Sequence, residues 1–166
     1  KISTHMSKLA SAFCFSMIFK MKLLFLCTGN SCRSQMAEGW TRHLKGDVLD
    51  AYSAGIETHG LNPHAVKAMA EAGVDITSQR SENIKDFADQ KLDVVVTVCG
   101  HAHETCPVFP ADCRVVHVGF EDPPKMAREL AERGASEEDQ MNCYRKVRDE
   151  IKAFVETLPE VLKEGS

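Results

Sequence analysis

The chain has 166 residues, 43% of them hydrophobic and 27% charged, which is enough for one globular domain with a real core. A formal net charge of −4 weighs against a general nucleic-acid or membrane-surface binder, so any anion site must be a local concentration of positive potential. Seven cysteines, at positions 14, 27, 32, 99, 106, 113 and 143, are odd in number and irregularly spaced, which fits free thiols in the cytoplasm better than a secreted disulfide framework.

Taken in chain order, residues 1–20 stand apart. Leu9–Phe19 is an apolar stretch after Lys8 that resembles a signal-peptide core, yet it is too short to span a bilayer and no small-x-small cleavage site precedes Met21. His5-Met6 reads as a cloning junction, so residues 1–20 are expected to be a disordered tag or leader rather than an anchor. A single domain over residues 21–166 would then begin at Met21. Lys22–Leu26 predicts a first buried strand, and Cys27-Thr28-Gly29-Asn30-Ser31-Cys32-Arg33-Ser34 follows at once. A helix over Ser34–Lys45 carries Ala37, Trp40, Thr41 and Leu44 on one face and is stopped by Gly46. Val48–Ser53 predicts a second strand, and Asn62-Pro63 opens a helix to Ala72 that Gly73 closes. A short helix is expected from Ser81 or Glu82. Leu92–Val98, with its branched run, predicts a strand buried on both faces, and Arg114–Val118 predicts a fourth. Lys125–Glu132 and Glu137–Leu158 read as helices separated by Gly134. This alternation predicts an α/β fold with a parallel sheet and right-handed crossovers. Ligands of such sheets sit beyond the carboxyl ends of the strands, where Cys27, Cys99 and Glu121-Asp122 are all expected.

The segment Thr28–Arg33 has the makings of an oxyanion loop. Gly29 is expected to supply unusual dihedrals, so that successive N–H groups of Thr28, Gly29, Asn30, Ser31, Cys32 and Arg33 face inward as an anion nest. The helix N-terminus adds positive potential, and Arg33 offers a two-pronged donor matched to tetrahedral oxygens. The same groups favour the nucleophilic thiolate of Cys27, with a buried structural thiol as the plainer alternative. Ser34 is either the helix cap or a hydroxyl donor to Cys27, and Asn30 either adopts a left-handed turn or braces the loop. Cys32 is expected to pack under the loop. Asp122, stiffened by Pro123-Pro124, is the candidate acid for a departing oxygen, with Glu121 as its competitor and an ordinary turn aspartate as the alternative.

Cys99 and Cys106 flank Gly100-His101-Ala102-His103-Glu104-Thr105. Three readings stand: a zinc site with His101 and His103, two unrelated thiols, or a redox pair. The redox reading carries a geometric consequence. Were the segment one helix, the two Cα atoms would lie ~10.5 Å apart, against about 4.4–6.8 Å for a disulfide. Oxidation must then unwind or loop out the segment, with Gly100 as hinge. Cys14, Cys113 and Cys143 show no partner pattern.

The loop Cys27–Ser34, the Glu121-Asp122-Pro123 segment and the Cys99/Cys106 pair together resemble thioredoxin-coupled arsenate reductases, which share the low-molecular-weight protein tyrosine phosphatase fold. The resemblance extends over Gln35–Trp40, Tyr52–Gly60 and Val147–Ile151, and runs from Lys22 to about Val161. It implies a three-layer sandwich with a four-stranded parallel sheet in order 2-1-3-4 and helices on both faces. It also implies a relay: Cys27 attacks arsenate held by the loop and Arg33, Asp122 protonates the leaving oxygen, Cys99 displaces arsenite, and Cys106 leaves a Cys99–Cys106 disulfide for thioredoxin to reduce. Arsenate and thioredoxin are the implied partners of a monomer with no tightly bound cofactor. A potassium site of some members maps onto Asn30, Glu38, Ser53 and Glu82. A low-molecular-weight phosphatase acting through a cysteinyl-phosphate is the second reading. Pro124 stands where members carry a small residue, Lys125–Gln140 is longer than in compact members, and the aromatics of phosphotyrosine enzymes after Asp-Pro are missing. A metal- or thiol-responsive binding module built on Cys99, His101, His103 and Cys106 is the third.

Overall fold

The computed structural model describes residues 19–163. The expectations for residues 1–18, Cys14 included, lie outside the described residues. Four strands, β1 (Met21–Cys27), β2 (Leu49–Gly55), β3 (Val94–Thr97) and β4 (Arg114–His117), form one sheet in the order β2-β1-β3-β4, with every pairing parallel. The order reverses between β1 and β3, which opens a crevice above their carboxyl ends. Leu23, Leu24, Phe25 and Leu26 of β1 and Val95 and Val96 of β3 are fully buried, as the unbroken apolar runs require for central strands covered on both faces.

Five helices cover the sheet: α1 (Arg33–Lys45), α2 (Pro63–Glu71), α3 (Gly100–Glu104), α4 (Pro123–Glu132) and α5 (Glu137–Glu156). Strand alternation assigns their sides. Ser53 reaches up to α1, whereas its neighbour Tyr52 stacks edge-on against Phe87, in a 3-10 turn over Ile84–Phe87, on the opposite face. Thr97, in register with Leu26 and therefore on the Tyr52 side, reaches His103 of α3. So α1, against which α2 and α5 pack, lies on one face with α4 behind α5, and α3 and the 3-10 turn lie on the other.

Boundaries fall within about three residues of where the sequence puts them, and the following differences have a local cause. Gly46 follows α1 with a right-handed φ of −62°, so the helix ends in a turn closed by Val48 N–H donating to the Lys45 carbonyl, without a left-handed glycine. The short helix starts at Ile84, because Asn83 and not Ser81 or Glu82 forms a capping box with Asp86. Helix α4 begins at Pro123, since two prolines fit the first turn, where the missing N–H groups cost nothing. Finally, α1 begins at Arg33, which puts Ser34 inside the helix.

Candidate active site

The loop after β1 gets its shape from the hydrogen bonds on its carbonyls. Ile56, Glu57, His59 and Asn62 donate their N–H groups to the carbonyls of Cys27, Thr28, Gly29 and Ser31 at 2.8–3.2 Å. Gln35 Nε2 donates to the Asn30 carbonyl at 3.1 Å, and Met36 N–H to that of Cys32 at 2.9 Å. In a trans peptide the N–H points opposite to the carbonyl of the same plane. Pinning those six carbonyls leaves the N–H groups of Thr28, Gly29, Asn30, Ser31, Cys32 and Arg33 pointing the other way, as an anion nest requires.

Asn30 adopts the left-handed turn that was one of its two expected roles, with φ 46°, whereas Gly29, expected to supply the unusual dihedrals, is not among the positive-φ residues. Gly29 is needed for closeness: a Cβ there would lie 2.3 Å from the His59 ring. Gly55 is under tighter constraint, since a Cβ would meet the Glu57 carbonyl at 2.1 Å and the backbone of Asn30 and Thr28 at 2.8 Å.

Asn30 both turns the chain and braces it. Its Nδ2 donates to Ser34 Oγ at 2.9 Å and to Ser53 Oγ at 2.8 Å, and Ser53 donates to Glu38 Oε2 at 2.5 Å. Because Ser34 Oγ receives Asn30, its own proton is free for Cys27 Sγ, 3.0 Å away. Ser34 is thus a thiol partner and not a cap. Cys32 is buried beneath the loop, and burial pushes its thiol well above the usual range, so it contributes an amide and no nucleophile.

Arg33 donates from Nη1 to the Phe120 carbonyl at 3.1 Å and lies 3.2 Å from Asp122 Oδ1. Asp122 caps α4 with no side-chain capping bond, leaving its carboxyl for the cleft, whereas Glu121 turns away to pair with Lys146. Cys27, Arg33 and Asp122 line one cleft of about 300 Å³ together with His59, Pro124 and Arg128.

Cys99 is buried, caps α3 by accepting Ala102 N–H at 3.4 Å, and sits 3.4 Å from Thr28 Oγ1, on the residue next to Cys27. Cys106 lies beyond the helix, half-buried, with its thiol pushed up by burial. All six described cysteines are free. The zinc arrangement is not assembled: His103 bonds Thr97 and stacks on His117 at 4.5 Å, and no group of three or more metal-ligating side chains occurs among the described residues.

The positions matched to potassium do not fit that ion. Asn30 Oδ1 accepts Glu82 N–H at 2.7 Å and Gln35 Nε2 at 3.0 Å, and Glu38 pairs with Arg42 at 2.6 Å besides receiving Ser53. Glu82 hydrogen-bonds through its backbone, and its exposed carboxylate adds to the repulsion that raises Glu38. Burial, opposed by the Ser53 bond and by Arg42, holds the Glu38 carboxyl above its usual range.

Sequence reasoning did not find Gln35, His59 or Arg128. Gln35 follows the loop by one residue, and Arg128 lies one turn beyond Pro124, so helical spacing from the Asp122 segment is the signal that could have exposed the latter.

A loop of free amides with a thiol in the same cleft can serve attack by sulfur on the central atom of a tetrahedral anion. On this sheet it defines the class of cysteine-dependent oxyanion enzymes with a phosphatase fold. The chain belongs to the low molecular weight phosphotyrosine protein phosphatase family, whose profile matches residues 22–166. It is 51% identical over 144 residues to an arsenate reductase of Halalkalibacterium halodurans, covering 87% of this chain and 99% of that one. A solved arsenate reductase in its reduced state is 34% identical, with a TM-score of 0.61 over 86% of this chain and 98% of that chain. The thioredoxin-dependent arsenate reductase of Corynebacterium glutamicum, 21% identical, shares the fold with a TM-score of 0.64 over 89% of this chain and 64% of that one. Among the described residues no helix is long and apolar enough to cross a membrane.

Proposed function

We propose that this protein reduces arsenate to arsenite through a relay of three cysteines, with a thioredoxin-type dithiol as the final reductant. The observation that carries the reading is the thiol of Cys99 held 3.4 Å from Thr28 Oγ1, beside the nucleophile, with Cys106 just past the far end of a five-residue helix. A phosphatase needs the Cys27 loop but neither of those thiols. The named relatives support the same substrate.

In this reading the Cys27 thiolate attacks arsenic(V) in the cradle, an S–As bond forms, and Asp122 gives its proton to the departing oxygen, which leaves as water. Arg33 exchanges Asp122 for the oxyanion as the anion enters. The Cys99 thiolate then attacks Cys27 Sγ. The S–As bond breaks, its electron pair stays on arsenic, and arsenite departs from a Cys27–Cys99 disulfide. Cys106 attacks Cys99 in turn and releases Cys27 as thiolate. That last step needs α3 to open: its five helical residues alone span ~7.5 Å, beyond the Cα separation a disulfide tolerates. An external dithiol returns Cys99–Cys106 to two thiols and supplies the two electrons that arsenic received. The network around Glu38 completes its own hydrogen bonds, and no step uses potassium.

The test is coupled NADPH oxidation with thioredoxin, thioredoxin reductase and arsenate, comparing wild type with Cys106→Ser. Wild type should turn over continuously, and the variant should release about one arsenite per protein and stop with Cys27 joined to Cys99. Continuous turnover without Cys106 would refute the relay. Hydrolysis of an aryl phosphate retained by Cys99→Ser while arsenate turnover is lost would separate the shared first step from the redox steps.

A further inference from the structure

Two arginines and a histidine line the cleft, and they are not equivalent. Arg33 is already paired with Asp122 at 3.2 Å, and His59 Nε2 lies 2.9 Å from Glu57 Oε2. Arg128 is exposed and, among the described residues, has no carboxylate within ion-pair distance and no hydrogen bond to its guanidinium. The acidic residue beside it, Glu129, pairs instead with Lys125 at 4.0 Å. In a chain of net charge −4, Arg128 is therefore the cleft's uncompensated positive charge.

Its position is fixed. Arg128 lies four residues after Pro124 on α4, so the two share a helix face, and Pro124 also lines the cleft. Pro123 is buried, and Ala127 anchors the helix in the core at 7% exposed. The guanidinium is thus carried at the mouth by a rigid element, while the amide cradle lies below it.

We infer that Arg128 is the outer capture residue of this site, a specificity-determining cation that draws small, fully charged tetrahedral dianions to the mouth before Arg33 gives up Asp122. This rests on the arsenate reading for its substrate, but not for its charge. A cationic rim rewards a compact dianion over a bulky aryl phosphate, whose ring would find Pro124 and an arginine there and no aromatic wall. Arg128 touches the incoming anion and takes no part in bond making.

The experiment compares wild type, Arg128→Gln and Arg128→Lys. With arsenate, Arg128→Gln should raise KM roughly three- to tenfold at low salt with kcat unchanged, and Lys should restore most of it. The difference should shrink as ionic strength approaches the regime where the Debye length falls to about 10 Å and below. A second readout needs no turnover: alkylation of Cys27, mapped by mass, with anionic iodoacetate and neutral iodoacetamide. The iodoacetate-to-iodoacetamide rate ratio should fall by a similar factor in Arg128→Gln and recover in Arg128→Lys. An unchanged ratio in Arg128→Gln, or a ratio that Lys does not restore, overturns the inference. If wild type itself fails to reduce arsenate, the substrate reading falls while the alkylation ratio still decides the role of Arg128.

Discussion

The Cys27 loop and the segment after Cys106, which the proposed relay joins in one chemistry, are built in opposite ways. In the loop, all six peptide planes from residue 27 to residue 33 are held by donors to their carbonyls, and Asn30, Ser34 and Ser53 beneath are fully buried. From Cys106 to Cys113 the backbone makes a single hydrogen bond, Cys113 N–H to the Pro110 carbonyl, and Val108 is 100% exposed. A cradle for developing charge must not reorganise when the anion arrives, because preorganised dipoles are what make it effective. In the proposed relay Cys106 must travel to its partner, which needs the reverse, a stretch that opens at low cost. What the two regions teach is that rigidity here follows the charge and looseness follows the sulfur.

The harshest way to break this comparison is to remove the fixed thiol. Cys27→Ser should abolish arsenate reduction and aryl-phosphate hydrolysis together, by at least ~1000-fold in kcat. Arg33→Lys should lose about 100-fold, because an ammonium cannot reproduce the two-pronged fork. Steady-state assays on both substrates check this, and survival of one activity in Cys27→Ser would mean the two reactions do not share a nucleophile. Stability sharpens the comparison next. Asn30→Ala strands partners on Ser34, Ser53, Gln35 and Glu82, and should cost about 3 kcal/mol in urea unfolding. Val108→Ala should cost less than about 0.5 kcal/mol.

Amide hydrogen exchange measures the same contrast directly. After conversion to a Cys99–Cys106 disulfide, exchange across residues 100–105 should quicken by about tenfold or more, while the Thr28–Arg33 amides and β3 stay unchanged. Equal protection in both states would mean that the segment does not switch. The smallest effect concerns Glu38. Its folded-state carboxyl titrates above the ordinary range, so the folded protein binds this proton more tightly than the unfolded chain. The linked contribution favours folding below the unfolded-state value and is lost as pH rises through the folded one. Glu38→Gln should flatten that part of the stability profile. Exchanging sodium for potassium should change wild-type turnover by less than about twofold, since Arg42 already balances Glu38.

Much of this was legible in the residues. An apolar run marked β1, a branched run marked β3, and Asn62-Pro63 marked the start of α2. Asp122 could be preferred to Glu121, although only the Lys146 pairing gives the reason. What was not legible depends on contacts between distant segments. That Asn30 both turns left-handed and braces the loop, roles the sequence left as alternatives, rests on its hydrogen bonds to Ser34 and Ser53, 4 and 23 positions away. The pairing of Cys99 with Thr28 spans 71 positions. The potassium site was implied by the family resemblance, and the donors from Arg42, Gln35 and the Glu82 backbone, which reach those same residues, have no signature in a linear string.

Gly55 ends the edge strand in register with Cys27, and the space where its side chain would go is filled by main-chain atoms of three other residues. For anyone diversifying this protein to accept a larger or smaller anion, that is a practical boundary. Even the smallest addition there would push on Glu57, Asn30 and Thr28 at once, so a library that randomises position 55 spends its members on misshapen cradles. Positions on the α4 side of the mouth, where side chains face open solvent, are where variation can be harvested.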